Sequence, residues 1–265
     1  MLNYTELKSY FEALNLSDKP VIAHASLKPF GYIEGGADAV LLAMLESFKS
    51  LVMPTFTYRT MITPEVGPPN NGMLYGLEKD VNKMAISFKH DLPADSMMGI
   101  LPEALRNQPS VMRTNHPILS FAGYNAEAAL NTQTLFDPLA PIGELEAQDG
   151  WVVLINVDHT VNTSIHHAEK LAGRKQFVRW ALVGDRAVEC PNYPGDSTGF
   201  NAIEDIIRYD VFRVEISKAA FIQAVSLKVL FRAVQELLSK DPLALLCQRD
   251  DCLMCNEIRG IRPVG

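Results

Sequence analysis

The sequence predicts an α/β fold in three layers: a central mixed sheet between two layers of helices, with a cysteine-rich C-terminal tail. Two stretches carry that expectation. Residues 20–56 read as strand, glycine-bearing turn, helix and strand, the alternation from which α/β sheets are built. Residues 151–173 repeat the start of the scheme, the apolar run WVVLINV being followed by an amphipathic helix. A third observation sets the scale. The 265 residues are 48% apolar and 21% charged and hold no repeat or low-complexity linker, which fits one domain over 1–265 with a real core.

Taken in order, residues 4–15 form an amphipathic helix, with Tyr4, Leu7, Phe11 and Leu14 at helical spacing. PVIAH (20–24) is a short buried strand that runs into ASLKPFGYIEGG, and the helix ADAVLLAMLESF follows. LVMPTF (51–56) is a second buried strand. From 57 to 95 the periodicity dissolves into a long loop rich in proline, asparagine and glycine, a length that in a compact domain is usually functional or mobile. GILPEALRN (99–107) suggests a short helix, and 151–157 is the clearest buried strand. Asn162, Thr163 and Ser164 offer a cap for the helix IHHAEKLAG, and Gly173 fits its stop. QFVRWALV and RAVEC flank Gly184-Asp185 as a two-residue hairpin. Residues 226–239 are an amphipathic helix with Ser226 as a candidate cap.

The formal charge is −7, and −6 of it falls within residues 61–150. An acidic chain argues against a nucleic-acid partner, which would need a basic face. No apolar run approaches the ~20 residues that span a bilayer, so no membrane partner is expected. The first residues carry acids where a signal peptide wants a basic stub, so the expected compartment is the cytosol.

Four segments hold groups suited to chemistry. In VIAHASLKPFGYIEGGADAV a strand delivers its end to a glycine turn and a helix start, whose free N–H groups suit a phosphate or an oxyanion. The same glycines also serve a plain loop. NTSIHHAE puts His166 and His167 in a helix's first turn, with Glu169 three positions after His166; a neutral histidine beside a carboxylate can act as a base. The alternative is one histidine packed inward and one facing water. A metal set of His159, His166 and His167 matches no standard zinc spacing. RTNHPILS (113–120) could grip an anion through Arg113 and His116, or be a solvated turn. Finally, Cys247, Cys252 and Cys255 supply three thiols where a structural zinc wants four ligands, and Cys190 could complete the set. Free thiols or a transient disulfide are the alternatives.

Together these segments resemble the aminoglycoside 3-N-acetyltransferase family of antibiotic N-acetyltransferases. The likeness runs in order through VIAHASLKPFGYIEGGADAV, LVMPTFTY, DLPADSMMGILPEALRNQPSVMRTNHPILSFAGYNA and FDPLAPIGELEAQDGWVVLINVDHTVNTSIHHAE, covering 20–170. The large acetyltransferase superfamily with a Q/R-x-x-G-x-G/A phosphate loop is different, and that loop is absent here. The resemblance implies acetyl transfer from acetyl-CoA to the 3-amino group of a 2-deoxystreptamine ring, by direct attack of the amine, and a link to antibiotic resistance. It implies that His166 is the general base, paired with a carboxylate after the hairpin, Glu189 or Asp196. It assigns Ser26, Leu27, Lys28, Gly31, Ile33 and Gly36 to the CoA-binding turn, and Arg113, His116 and Ser120 to the block closing the CoA side. Ala140 stands where the family's DPLAPIGEL block commonly has serine. The 57–95 loop would shape acceptor choice, with Asp91, Asp95 and Glu169 as candidate contacts to a cationic amine.

A polycationic acceptor would give the acidic middle a role. Glu65, Glu78, Asp80, Asp91 and Asp95 should then face the acceptor side of His166; scattered elsewhere, they serve only solubility. Three other readings stay open: an acyltransferase for a different amine, a zinc-dependent amidohydrolase, and a ligand-binding relative without activity. A homodimer is one assembly open to the chain.

Overall fold

At the centre of the computed structural model, which describes residues 1–77 and 80–261, lies a seven-stranded mixed sheet. In chain order the strands are β1 (Pro20–Ala25), β2 (Ser50–Pro54), β3 (Met61–Ile62), β4 (Val111–Arg113), β5 (Phe121–Tyr124), β6 (Trp151–Ile155), β7 (Phe177–Val183), β8 (Arg186–Tyr193), β9 (Phe212–Glu215) and β10 (Phe221–Ser226). The large sheet has the order β4-β5-β2-β1-β6-β10-β9. Only β1 with its neighbours β2 and β6 is parallel; β5, β4, β10 and β9 pair antiparallel.

The parallel centre explains its own sequence. Strands covered on both faces read as unbroken apolar runs, and β1 and β2 are buried along almost their whole length. Successive side chains then serve opposite faces. Val21, Ala23, Leu51, Met53, Val153 and Ile155 meet the helices α1 (Tyr4–Glu12), α2 (Gly36–Ser47) and α3 (Ile100–Arg106) through Phe11, Met44 and Leu105. Ile22, Val52, Val152 and Leu154 meet the other layer through Leu145, Ile165 and Leu230. That layer holds α4 (Glu127–Leu130), α5 (Ala140–Ala147), α6 (Thr163–Leu171), α7 (Glu204–Ile207) and α8 (Leu227–Lys240). The three-layer α/β expectation therefore describes the molecule.

Local chemistry sets the helix starts. At α1, Asn3 accepts from the Glu6 N–H at 3.0 Å while Glu6 accepts from the Asn3 N–H at 2.9 Å, a complete capping box. Asn162 caps α6, its Oδ1 accepting from Ser164 N at 3.1 Å. Ser226 sits at the cap of α8, but its side chain makes no capping bond.

A small sheet of order β3-β7-β8 stands apart, closed by the Gly184-Asp185 turn with Gly184 at φ +64°. Parts of the 57–95 segment are tied to this sheet and to the turn at Pro117. Thr57 and Thr60 donate their hydroxyls to Pro117 O at 2.7 Å, Asn71 brackets the Val178 backbone at 2.7 and 2.9 Å, and Phe88 N donates to Leu182 O at 2.8 Å. Side chain–backbone bonds have no period, so the order here is invisible to a periodicity search. The tail carries α9 (Leu253–Arg259). Among the described residues, no helix is long and apolar enough to cross a membrane.

Candidate active site

Because β1, β2 and β6 run in parallel, their carboxyl ends open on one edge, with β2 on one side of β1 and β6 on the other. Crevices at such points are where α/β sheets bind ligands. A cavity of about 700 Å³ lies there, reached by His24 and Ala25 from β1, Pro54 from β2 and Val157 beyond β6. The 96–102 segment, Thr163 and His166 of α6, and Tyr193 to Ser197 after the hairpin complete it.

His166 is 9% exposed, its ring edge-on to Phe200 at 4.7 Å. Its Nδ1 lies 3.3 Å from Glu169 Oε2, a long hydrogen bond of the kind that tightens in a substrate complex. The other oxygen, Glu169 Oε1, accepts from Arg174 Nε at 3.1 Å, and Arg174 donates onward to Pro242 O and Ala244 O. The carboxylate, itself held by a buried guanidinium, engages the ring at Nδ1 and leaves Nε2 on the opposite edge. Among the described residues Nε2 takes no hydrogen-bond partner, and it is not sealed from solvent. His166 itself is among the residues that line the cavity.

The hairpin does not deliver the partner expected for it. Glu189 is exposed on β8, cross-strand from Trp180, and lines no part of the cavity. Asp196 does line the cavity, but its oxygens are taken by Thr198 and by Arg249 at 3.2 Å. Glu169, expected to touch substrate or support the helix, sits behind His166 and does not line the cavity. Its i, i+3 spacing from His166 was the available signal. Arg174 has no such signal, since it returns to Glu169 only after the chain turns at Gly173, φ +82°.

On the coenzyme side Ser26, Leu27 and Lys28 line the cavity, while Gly31, Ile33 and Gly36 fall outside its lining. Among the described residues nothing accepts from the Leu27 and Lys28 backbone N–H groups. Arg113, His116 and Ser120 need correction: all three are buried away from the cavity and brace the turn. Arg113 donates to Thr55 O at 3.0 Å, to His90 O at 2.9 Å and to Leu92 O, while Ser120 Oγ donates to Thr55 O at 2.8 Å. His116 Nδ1 accepts from Leu119 N at 2.9 Å, and burial lowers its pKa to about 4.

The acidic lining also fails to form. Asp95 is 5% exposed and held by Arg59 Nε at 2.6 Å; Asp80 pairs with Lys83; Glu65 and Asp91 are exposed and line nothing. Glu78 lies outside the described residues. Asp196 is the single carboxylate among the lining residues, which are mainly apolar. Tyr193 lines the cavity too, and burial pushes its hydroxyl to about 12, so it stays a donor. His24 reaches the cavity neutral, its pKa lowered to about 3 by burial and by repulsion from His159.

The thiols also group differently from expectation. Cys247, Cys252 and Cys255 come together with Asp196, whereas Cys190 is buried in the main core beside Val188 O.

A family model for aminoglycoside 3-N-acetyltransferases matches residues 22–239. The chain belongs to this family. It is 31% identical over 185 residues to aminoglycoside N(3)-acetyltransferase VII of Streptomyces paromomycinus, covering 66% of this chain and 63% of that protein. It is 30% identical over 158 residues to the SPbeta prophage-derived aminoglycoside N(3')-acetyltransferase-like protein YokD of Bacillus subtilis (strain 168), covering 56% and 57%. The matched stretch thus spans less than two thirds of either relative. The crystal structure of YokD superposes with a TM-score of 0.77 over 91% of this chain and 94% of that one, at 21% identity. A structure described as AAC-IIIb binary with CoASH gives 0.71 over 90% and 96%, at 19% identity. Identities at that level speak for the fold.

Proposed function

We propose that this protein is an acetyl-CoA-dependent N-acetyltransferase that acylates the 3-amino group of a 2-deoxystreptamine aminoglycoside. One observation carries the reading: His166 Nε2 opens on the cavity while Nδ1 is held by Glu169 and, through it, Arg174. An ammonium cannot attack a thioester, so the base takes a proton from the acceptor nitrogen. The free amine then attacks the thioester carbonyl carbon, a C–N bond forms, the nitrogen gives its second proton to solvent, and the tetrahedral oxyanion collapses with cleavage of the C–S bond. CoA thiolate leaves and takes the proton from His166. The unpaired Leu27 and Lys28 N–H groups suit either the oxyanion or the CoA pyrophosphate. Lys28 at the rim adds a cation for the anionic coenzyme.

A different acceptor is the second reading, and it has its own observation. A polycationic sugar would be steered by several carboxylates, yet Asp196 alone lines the cavity among the described residues, and the rest of the lining is mainly apolar. An amine with less charge and more apolar surface fits that lining. The amidohydrolase reading is weakened by the donor set, because three thiols and one carboxylate close a zinc site without an open position.

The test is release of CoA thiol from acetyl-CoA with a panel of aminoglycosides and of monoamines of graded polarity. Turnover with aminoglycosides supports the first reading and turnover confined to monoamines the second. No release with any amine refutes both.

A further inference from the structure

Where the segment after β8 meets the tail, four donors converge. Asp196, Cys247, Cys252 and Cys255 each offer a ligand atom, and these atoms all lie within 4.8 Å of one another. The three thiols are buried and free, at 2%, 4% and 0% exposure. Among the described residues no other group of three or more potential ligands gathers in this way.

The surroundings fit a cation rather than a packed core. Leu246 and the three cysteines form a small cluster separate from the two main cores, with Met254 and Ile258 against it. Such a cluster has too little apolar area to hold a segment by itself. Arg249 donates to Asp196 Oδ2 at 3.2 Å and Arg259 donates to the Cys247 carbonyl. Three thiolates and a carboxylate around a divalent ion leave two negative charges, and these two guanidiniums offset them. Thr198 N donates to Asp196 Oδ1 at 2.9 Å and fixes the carboxylate's direction. Cys252 is the N-cap residue of α9 and Cys255 lies three residues on, so that pair sits across the helix's first turn. Soft sulfur donors in a set of four select zinc over magnesium or calcium. Bonds of ~2.3 Å make a tetrahedron with edges of ~3.8 Å, so the donors need close in by only about an ångström.

We propose that Asp196, Cys247, Cys252 and Cys255 bind one Zn²⁺ ion, and that this ion ties the tail to the segment after β8. The tie has a direct consequence for the cavity, since Pro194, Gly195, Asp196 and Ser197 line it from one side of the ion and Met254 from the other. The metal fixes that wall. Only its effect on substrate rests on the acyl-transfer reading; the site itself does not.

Elemental analysis of the full chain, purified under reducing conditions without added metal, is the test. One zinc per chain is expected, and Co²⁺ added to metal-stripped protein should give a thiolate-to-cobalt absorption band. Cys190→Ser should keep the zinc, and Cys252→Ser should lower its content roughly tenfold or more. Stripping the metal should make residues 245–261 susceptible to protease. Protein without zinc and without a cobalt band overturns the site, as does loss of zinc in Cys190→Ser. If Cys252→Ser fails to fold, the cobalt spectrum of the unaltered chain decides. Unchanged protease resistance after stripping overturns the tie. None of these readouts depends on acetyl transfer, so they separate failure of the site from failure of the proposed reaction.

Discussion

His166 owes its orientation to a short relay of charges. Arg174, anchored on two carbonyls, fixes Glu169, and Glu169 fixes the imidazole through Nδ1. On the proposed mechanism, His166→Gln should lower kcat by about 10²–10⁴ and leave the melting temperature nearly unchanged; steady-state rates and calorimetry read both. Retained turnover would remove His166 from the chemistry. Glu169→Gln is expected to act on both readouts, because an amide NH2 replaces one of the two oxygens that face His166 Nδ1 and Arg174 Nε, and the buried guanidinium loses its counter-charge. Breaking a buried pair by removing one partner costs about 3–5 kcal/mol, so urea denaturation should move to lower concentration as kcat falls. An unshifted denaturation midpoint would mean that Arg174 finds its compensation in the carbonyls alone.

Between elements, close backbone approaches hold the layers. A Cβ on Gly199 would lie 2.4 Å from Leu245 O and 2.6 Å from the Leu246 carbonyl carbon, and neither backbone atom can swing aside. Gly199→Ala should therefore cost roughly 1–3 kcal/mol, seen as a lower melting temperature, while Gly173→Ala meets no atom within 4 Å and carries only the strain of its φ +82°. Equal stability of Gly199→Ala and the parent would refute that contact. The elements most readable in the sequence are those with a strong local cause. β1, β2 and β6 are apolar runs, α6 has Asn162, and the hairpin has Gly184-Asp185. β4, β5 and β9 span three or four residues each and are stabilised mainly by their partners, so no local pattern announces them. The site divides along the same line. His166 and its i+3 neighbour are legible, whereas the exchange of Cys190 for Asp196 depends on where the end of β8 meets the tail. Arg113 and Ser120 look like ligand contacts in the sequence because polar residues on a turn suggest function, and only the fold reveals that carbonyls consume them.

For the molecule as a whole, four buried histidines set the response to acid. Burial lowers His24 to about 3 and His116, His159 and His167 to about 4. Unfolded, each titrates near 6.5, so below that pH the unfolded chain binds protons that the folded one refuses. Their contribution is present above pH 6.5 and is lost as pH falls towards 4, at about 1.4 kcal/mol per histidine per pH unit. Urea midpoints should thus drop steeply from pH 7 to pH 5; a flat profile would show that these side chains gain protons in the folded state. The charge of −7 has a changed meaning as well. Among the described residues Asp196 is the single carboxylate in the cavity lining, and it is paired with Arg249, so the excess charge forms no acidic lining there. One last consequence follows from Arg174. Its two carbonyl anchors belong to Pro242 and Ala244, and β6 takes its antiparallel neighbour from β10. During translation, His166 leaves the ribosome long before the parts that orient it, so the relay is incomplete until Ala244 has followed. A cut between β9 and β10 would leave His166, Glu169 and Arg174 on one fragment and both carbonyl anchors of Arg174 on the other.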